Sequence, residues 1–176
     1  MNRAFRLPGF FLVAAALGFV LLLSPIGSQP AHASCADPAR PGVSWPRCDF
    51  SGRDLSGVDV SGGNLGGSRF VRANFAGATF TDARVDRAKF VTVDAPDADF
   101  SGARAVGTDF TKANLTRASF KGADLRRARF FEAILIGANF SGARLEGADL
   151  LNADFSGATW TDGTTICAAG SIGQCR

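Results

Sequence analysis

The chain has 176 residues, 46% hydrophobic and 20% charged, with a formal charge of +3, which bounds it to one domain plus terminal extras. It contains one histidine, His32, and no tyrosine. Because His32 falls in a leader-like segment, the rest of the chain lacks Ser-His and Cys-His catalytic pairs and any His-ligated metal site.

Residues 1–33 have the composition of a secretory signal peptide. Arg3 and Arg6 give a basic start, 10–23 is an apolar run broken only by Gly18, and Ala31-His32-Ala33 is a small-x-small cleavage site. Ser34 is therefore the expected new N-terminus, and loss of Arg3 and Arg6 takes the charge from +3 to about +1. The run is short for a membrane span of about 20 residues, so a retained anchor ranks second. Lipid attachment at Cys35 ranks lower, because His32 stands where a lipobox has an aliphatic residue. The expectation is an exported protein, periplasmic or extracellular, that meets the membrane only through its leader. Residues 34–47 then form an N-terminal cap segment.

From 48 to 162 the sequence repeats every five residues. Large apolar centres run without slip from Phe50 to Trp160: 23 positions, with Phe at 11, Leu at 7, Val at 2, Ala at 2 and Trp at 1. Two residues before each centre, Ala fills 16 of 23 companion positions. Five steps of about 100° leave no apolar face on a helix, and an odd step sends successive side chains to opposite sides of a strand. A sustained period of five fits a solenoid that bends after every few residues and sends one side chain inward per side. Glycine-rich 61–68, SGGNLGGS, lacks the GxxxxGK of a phosphate loop.

The unit A-(D/N)-(L/F)-x-x, as in Ala123-Asp124-Leu125 and Ala138-Asn139-Phe140, resembles the pentapeptide-repeat family. The resemblance covers about 115 of 176 residues. It implies an all-β fold, a right-handed quadrilateral β-helix with four pentapeptides per coil and just under six coils. Centres 20 apart then stack, so Phe fills two opposing columns and leaves no pore or ligand cavity. The first coil is ragged, with Arg53, Val58 and Gly63 where Ala is usual. The coil with Ala95 and Ala105 at its centres, beside Val93 and Pro96, is expected to be a weak layer whose wall has partly closed.

Residues 163–176 form a C-terminal cap or tail. On this fold Cys35 and Cys48 sit at one end, Cys167 and Cys175 at the other. An even cysteine count in an exported chain reads as disulfides, and the local pairs Cys35–Cys48 and Cys167–Cys175 are favoured. The other pairings need a tail running back along the solenoid, and a four-thiolate zinc site is the rival.

Asp49, Asp54, Asp59, Asp99, Asp109, Asp124, Asp149 and Asp154 all precede a centre. Turn polarity explains them better than acid–base catalysis, so no catalytic residue, metal or cofactor is assigned. One face, around Leu65 and Leu145, collects Arg84, Arg87, Arg104, Arg126, Arg127 and Arg144 against three acids. It is either an ordinary mixed surface or a strip for an anionic polymer. The opposite face, around Leu55 and Phe155, has Arg117 against four aspartates. Phe131, Ile134, Ile136 and Leu151 stand at normally polar outward positions, an apolar contact patch unless the tail covers them.

These features point to a non-catalytic exported scaffold whose partner is an unidentified protein or an anionic envelope polymer. The alternative is the DNA mimicry of topoisomerase-binding family members. Export, disulfides and arginines weigh against it. Nucleic-acid binding is disfavoured too, since no aromatics interleave the basic strip.

Overall fold

The computed structural model describes residues 35–176. The signal-peptide reading of 1–33 and the start at Ser34 lie outside the described residues. Most five-residue units close a tight turn in which the companion's N–H donates to the previous centre's carbonyl, as in Ala73 to Phe70 (2.9 Å) and Ala123 to Phe120 (3.0 Å); Val93 and Cys48 are exceptions. From Gly42 to Gly157, positive φ falls on the third residue of these turns, the type II signature. Glycine suits that position best, yet eleven non-glycine residues hold φ between 54 and 59° there. The Asp or Asn before a centre accepts the N–H two residues on, for example Ser51 to Asp49 (2.9 Å) and Ser141 to Asn139 (2.9 Å). The repeated acid thus caps a turn, which is the bland role its position suggested.

Between turns the chain is extended for little more than one residue. That residue forms a parallel bridge to its counterpart 20 residues on, as in Asp49 with Arg69 and Asp124 with Arg144. The register holds from Ser44–Asn64 to Asn139–Thr159. Sides this short explain why bridges replace continuous strands. Every centre from Val60 to Phe140 is fully buried. Rings 20 apart stack at 5.1–5.3 Å for Phe90–Phe110, Phe110–Phe130, Phe100–Phe120 and Phe120–Phe140. Rings of the two columns meet edge to face, as Phe110 and Phe120 do at 5.7 Å. Such pairs add about 0.5–1.5 kcal/mol each beyond burial.

The Ala95–Ala105 coil keeps the ladder. Ala95 N–H reaches Asn114 O and Ala105 N–H reaches Asp124 O, both at 2.8 Å. Its turns do change: Val93 N–H makes no bond to Phe90 O, and the Ala98 to Ala95 turn bond lengthens to 3.4 Å. Val93, two residues before Ala95, and Thr108, three after Ala105, are buried and larger than the usual alanine companion, and the Thr108 hydroxyl donates to Val85 O (2.7 Å). Pro96 occupies the second turn position, which favours proline and has no ladder N–H to lose.

The ladder starts one unit before the periodic boundary at 48. Trp45 is a buried centre with Val43 as its companion, and its indole N–H donates to Asp37 O (3.1 Å). Ser68, buried, gives its hydroxyl to Trp45 O and accepts from Cys48 N (3.0 Å). At Gly63 an added Cβ would lie 2.8 Å from Val60 O and 2.9 Å from Val43 O, which explains the missing alanine there. At the other end the tail folds back antiparallel, pairing Thr159 with Ile166 and Asp154 with Ile172. It buries Cys167 and leaves Leu145 and Leu150 half-buried.

Candidate anion-binding groove

On the Leu65/Leu145 side, three exterior columns run along the solenoid. The residues before the centres are Asn64, Arg84, Arg104, Asp124 and Arg144. After the centres come Gly66, Asp86, Val106, Arg126 and Glu146, then the left-handed turn residues Gly67, Arg87, Gly107, Arg127 and Gly147. A depression of about 570 Å³ lies between Arg47, Asn64, Arg84, Asp86, Arg87 and Arg104. A second, of about 520 Å³, shares Arg104 and Val106 with it and continues to Arg127 and Gly147. Together they make one groove along this face.

The acids in the groove are occupied. Asp86, whose side chain is 14% exposed, accepts from Arg84 Nε (2.9 Å), Arg104 Nε (3.1 Å) and Val106 N (3.2 Å). Arg126 grips Asp124 bidentately at 2.8 and 2.7 Å. Those hydrogen bonds hold the Asp124 carboxyl below the usual range. Arg144 lies 3.7 Å from Glu146. Among the described residues, neither Arg87 nor Arg127 has an ion pair or a side-chain hydrogen bond, and neither does Arg47. All six arginines expected on this face are therefore on it, but they divide into four paired and two free.

The sequence reading missed Arg47, which lines the groove's first depression. It lies outside the region where periodicity was counted, although its spacing of 40 residues from Arg87 marks it. The opposite face differs. Asn74 donates to Asp54 (3.0 Å), Asn114 to Asp94 (2.7 Å), and Arg117 to Asp97 (2.7 Å). Alternating Asp with Asn turns repulsion between stacked carboxylates into hydrogen bonds.

The apolar patch stays open. Ile134, Ile136 and Leu151 are 43%, 42% and 59% exposed, and Phe131 is half-buried. The tail does not cover them and adds Ile166 and Ile172 to the exposed set. The cysteines pair as Cys35–Cys48 and Cys167–Cys175, with Cα atoms 5.5 and 4.9 Å apart. Both pairings are the local ones, and the four-thiolate zinc arrangement is not formed. Among the described residues, no cluster of His, Cys, Asp or Glu is arranged to hold a metal.

No curated protein matches the chain. Among solved structures it is similar to a pentapeptide repeat protein, Rfr23, from the cyanobacterium Cyanothece. Identity is 23%, over 68% of this chain and 86% of that one, with a TM-score of 0.40. It is similar to QnrB1, a plasmid-mediated fluoroquinolone resistance protein, at 28% identity, 68% and 69% coverage and a TM-score of 0.39. HetL, a pentapeptide repeat protein involved in heterocyst differentiation regulation in a Nostoc cyanobacterium, shares 25% over 71% and 73%, with a TM-score of 0.26. The pentapeptide-repeat family model matches in 8 copies at 54–90, 97–130 and 123–159. The match spans more than half the sequence and coincides with the buried five-residue ladder, so the chain belongs to the pentapeptide-repeat family, whose fold is a right-handed β-helix.

Proposed function

We propose that this protein is a non-catalytic binding scaffold that works outside the cytoplasm and holds an anionic envelope polymer in its arginine groove. Its body would be a quadrilateral rod of just under six coils, with 34–47 and 163–176 as disulfide-clamped caps. Proteins of this family are generally structural or binding proteins rather than enzymes. One observation carries the reading: the groove's acids are already taken by neighbouring arginines, while Arg87 and Arg127 keep uncompensated charge. Two local disulfides agree with an oxidising compartment. The DNA-mimic alternative requires an acidic surface along the rod. The groove opposes it.

Two measurements test the proposal. The full chain expressed in a bacterium with a periplasm should appear outside the cytoplasm with a mass beginning at Ser34. Retention of 1–33, or lipid on Cys35, would overturn the localisation. The folded protein should bind acidic envelope polymers with an affinity that falls as salt rises. Absence of binding to every polyanion tried would sink the groove.

A further inference from the structure

The free arginines are arranged with a period of their own. The groove's left-handed turn column reads Arg47, Gly67, Arg87, Gly107, Arg127, Gly147. Arginine and glycine alternate over its whole length. The equivalent columns on the other sides do not: one reads Gly52, Arg72, Thr92, Lys112, Glu132, Asn152. Each arginine packs on the glycine that follows it in the column. A Cβ placed on Gly67, Gly107 or Gly147 would touch Cγ of Arg47, Arg87 or Arg127 at 3.5, 3.8 and 3.6 Å. Each arginine stem therefore lies over the glycine of the next coil at ordinary van der Waals distance, as Arg117 does over Gly137 on another face. Each arginine also holds a φ of 55–58°, a conformation that favours glycine by roughly 1–2 kcal/mol. The column thus keeps a costly residue on every second coil.

Neighbouring coils are about 4.8 Å apart, so the three free guanidinium groups repeat at about 10 Å along the groove. Nucleic-acid strands carry a phosphate about every 3.4 Å, too dense for this register. An extended chain of pyranose sugars with a carboxylate on alternate residues presents one anion per two sugars, close to the arginine repeat. A planar guanidinium matches a carboxylate bidentately. We infer that the groove is a register of subsites for a linear acidic polysaccharide bearing one carboxylate on every second sugar, read by Arg47, Arg87 and Arg127. This rests on the anion-binding reading above and narrows it to one charge spacing.

Glycine is the natural replacement, because it relieves the backbone while removing the charge. The folded, disulfide-bonded protein is titrated with three probes. They are a hyaluronan oligosaccharide long enough to span the three arginines (one carboxylate per two sugars), polygalacturonate (one on every sugar) and polyphosphate. Hyaluronan should bind more tightly per charge than either denser polymer. Arg87→Gly should weaken it roughly tenfold, and the triple variant with Arg47→Gly and Arg127→Gly should abolish it, with melting temperature unchanged or higher. Arg72→Gly, the same change on another face, should alter binding by less than about twofold, as expected of an exposed charge outside the site. Equal affinity per charge for all three polymers, or equal loss in Arg72→Gly and Arg87→Gly, overturns the register while leaving a general anion groove. Binding to none of them overturns both.

Discussion

The groove face and the Asp/Asn face are built on the same backbone and solve opposite electrostatic problems. Both have a bridge every 20 residues, a left-handed turn residue per unit and one Ala centre, Ala105 or Ala95, in the same coil. On the Asp/Asn face the exterior columns neutralise themselves: Asn74 bonds Asp54, Asn114 bonds Asp94, and Arg117 pairs with Asp97. On the groove face two arginines converge on one aspartate, Asp86, and others are left over. The comparison teaches that the interior fixes the fold without regard to the exterior, and that charge is set column by column at intervals of 20 residues.

If the interiors are equivalent, deleting the same centre on either face should cost the same. Leu115 and Leu125 are fully buried, and each stacks one coil after an Ala centre. Leu115→Ala and Leu125→Ala should each lose about 2–5 kcal/mol in denaturant unfolding, with the two values within about 1 kcal/mol of each other. A wider gap would show that the exterior charge pattern reaches into the core.

The Ala centres sharpen the point in the other direction. Val93 and Thr108 already occupy volume beside them. Ala95→Leu and Ala105→Leu should therefore overpack, each destabilising by about 1–3 kcal/mol. A raised melting temperature in either variant would mean that the neighbouring companion does not fill the space. Hydrogen exchange gives an independent measure. The continuous bonds between coils predict similar protection for 91–106 and 111–126 except at Val93, whose turn bond is missing, and much faster exchange throughout the first segment would restore the weak-layer expectation.

The period of five was legible because one large side chain per side is a steric requirement of every coil, so it recurs at Phe50, Phe70 and Phe90 alike. The local disulfides were legible because the solenoid keeps its ends apart. Arg47 and Trp45 were not, because the first unit breaks the alanine rule with Val43 and Cys48. What a buried Val93 does to the volume around Ala95 is hidden for a related reason. Counting residues by register treats centre and companion as separate columns, whereas packing adds their volumes. The division of the arginines into paired and free depends on side-chain geometry around Asp86 and Asp124, which residue order does not specify.

At the turn positions the two faces should respond differently to glycine. Arg87 has no carboxylate partner, so Arg87→Gly removes only backbone strain and should stabilise by up to about 1 kcal/mol. Arg117 pairs with Asp97 of the preceding coil, and Arg117→Gly exchanges that relief for a weak, solvent-exposed ion pair, leaving little net change. Thermal melts of the two variants decide it. A clear loss for Arg87→Gly would show that its stem packing over Gly107 outweighs the strain.

The smallest expected effect is with acid, and it separates the faces by ligand affinity more than by stability. Asp54 is held below its usual range by the N–H and hydroxyl of Ser56, Asp97 by Arg117, and Asp124 by Arg126. Asp162, in the turn that leads into the tail, is lowered to about 2 by the Thr165 hydroxyl and the N–H groups of Thr165 and Thr164. A carboxyl with a depressed folded pKa stabilises fully above its unfolded value near 4 and loses that contribution as pH falls through the folded value. Melting temperature should thus be flat with respect to these groups from about pH 7 to 5 and fall between about pH 4 and 2. Asp162→Ala should flatten the last part of that fall, because the turn then has no proton to take up. On the Asp/Asn face, protonation of Asp97 leaves Arg117 unpaired. In the groove, protonation of Asp124 releases Arg126 beside the already free Arg127, and positive charge concentrates there. A polyanion that keeps its charge in acid, such as polyphosphate, should therefore bind the groove more tightly once the pH has fallen through the lowered Asp124 value than at neutrality, and Asp124→Asn should reproduce that gain at neutral pH. Unchanged polyphosphate binding in Asp124→Asn would show that Arg126 does not face the groove once released, and the contrast between the two faces would then rest on Arg47, Arg87 and Arg127 alone.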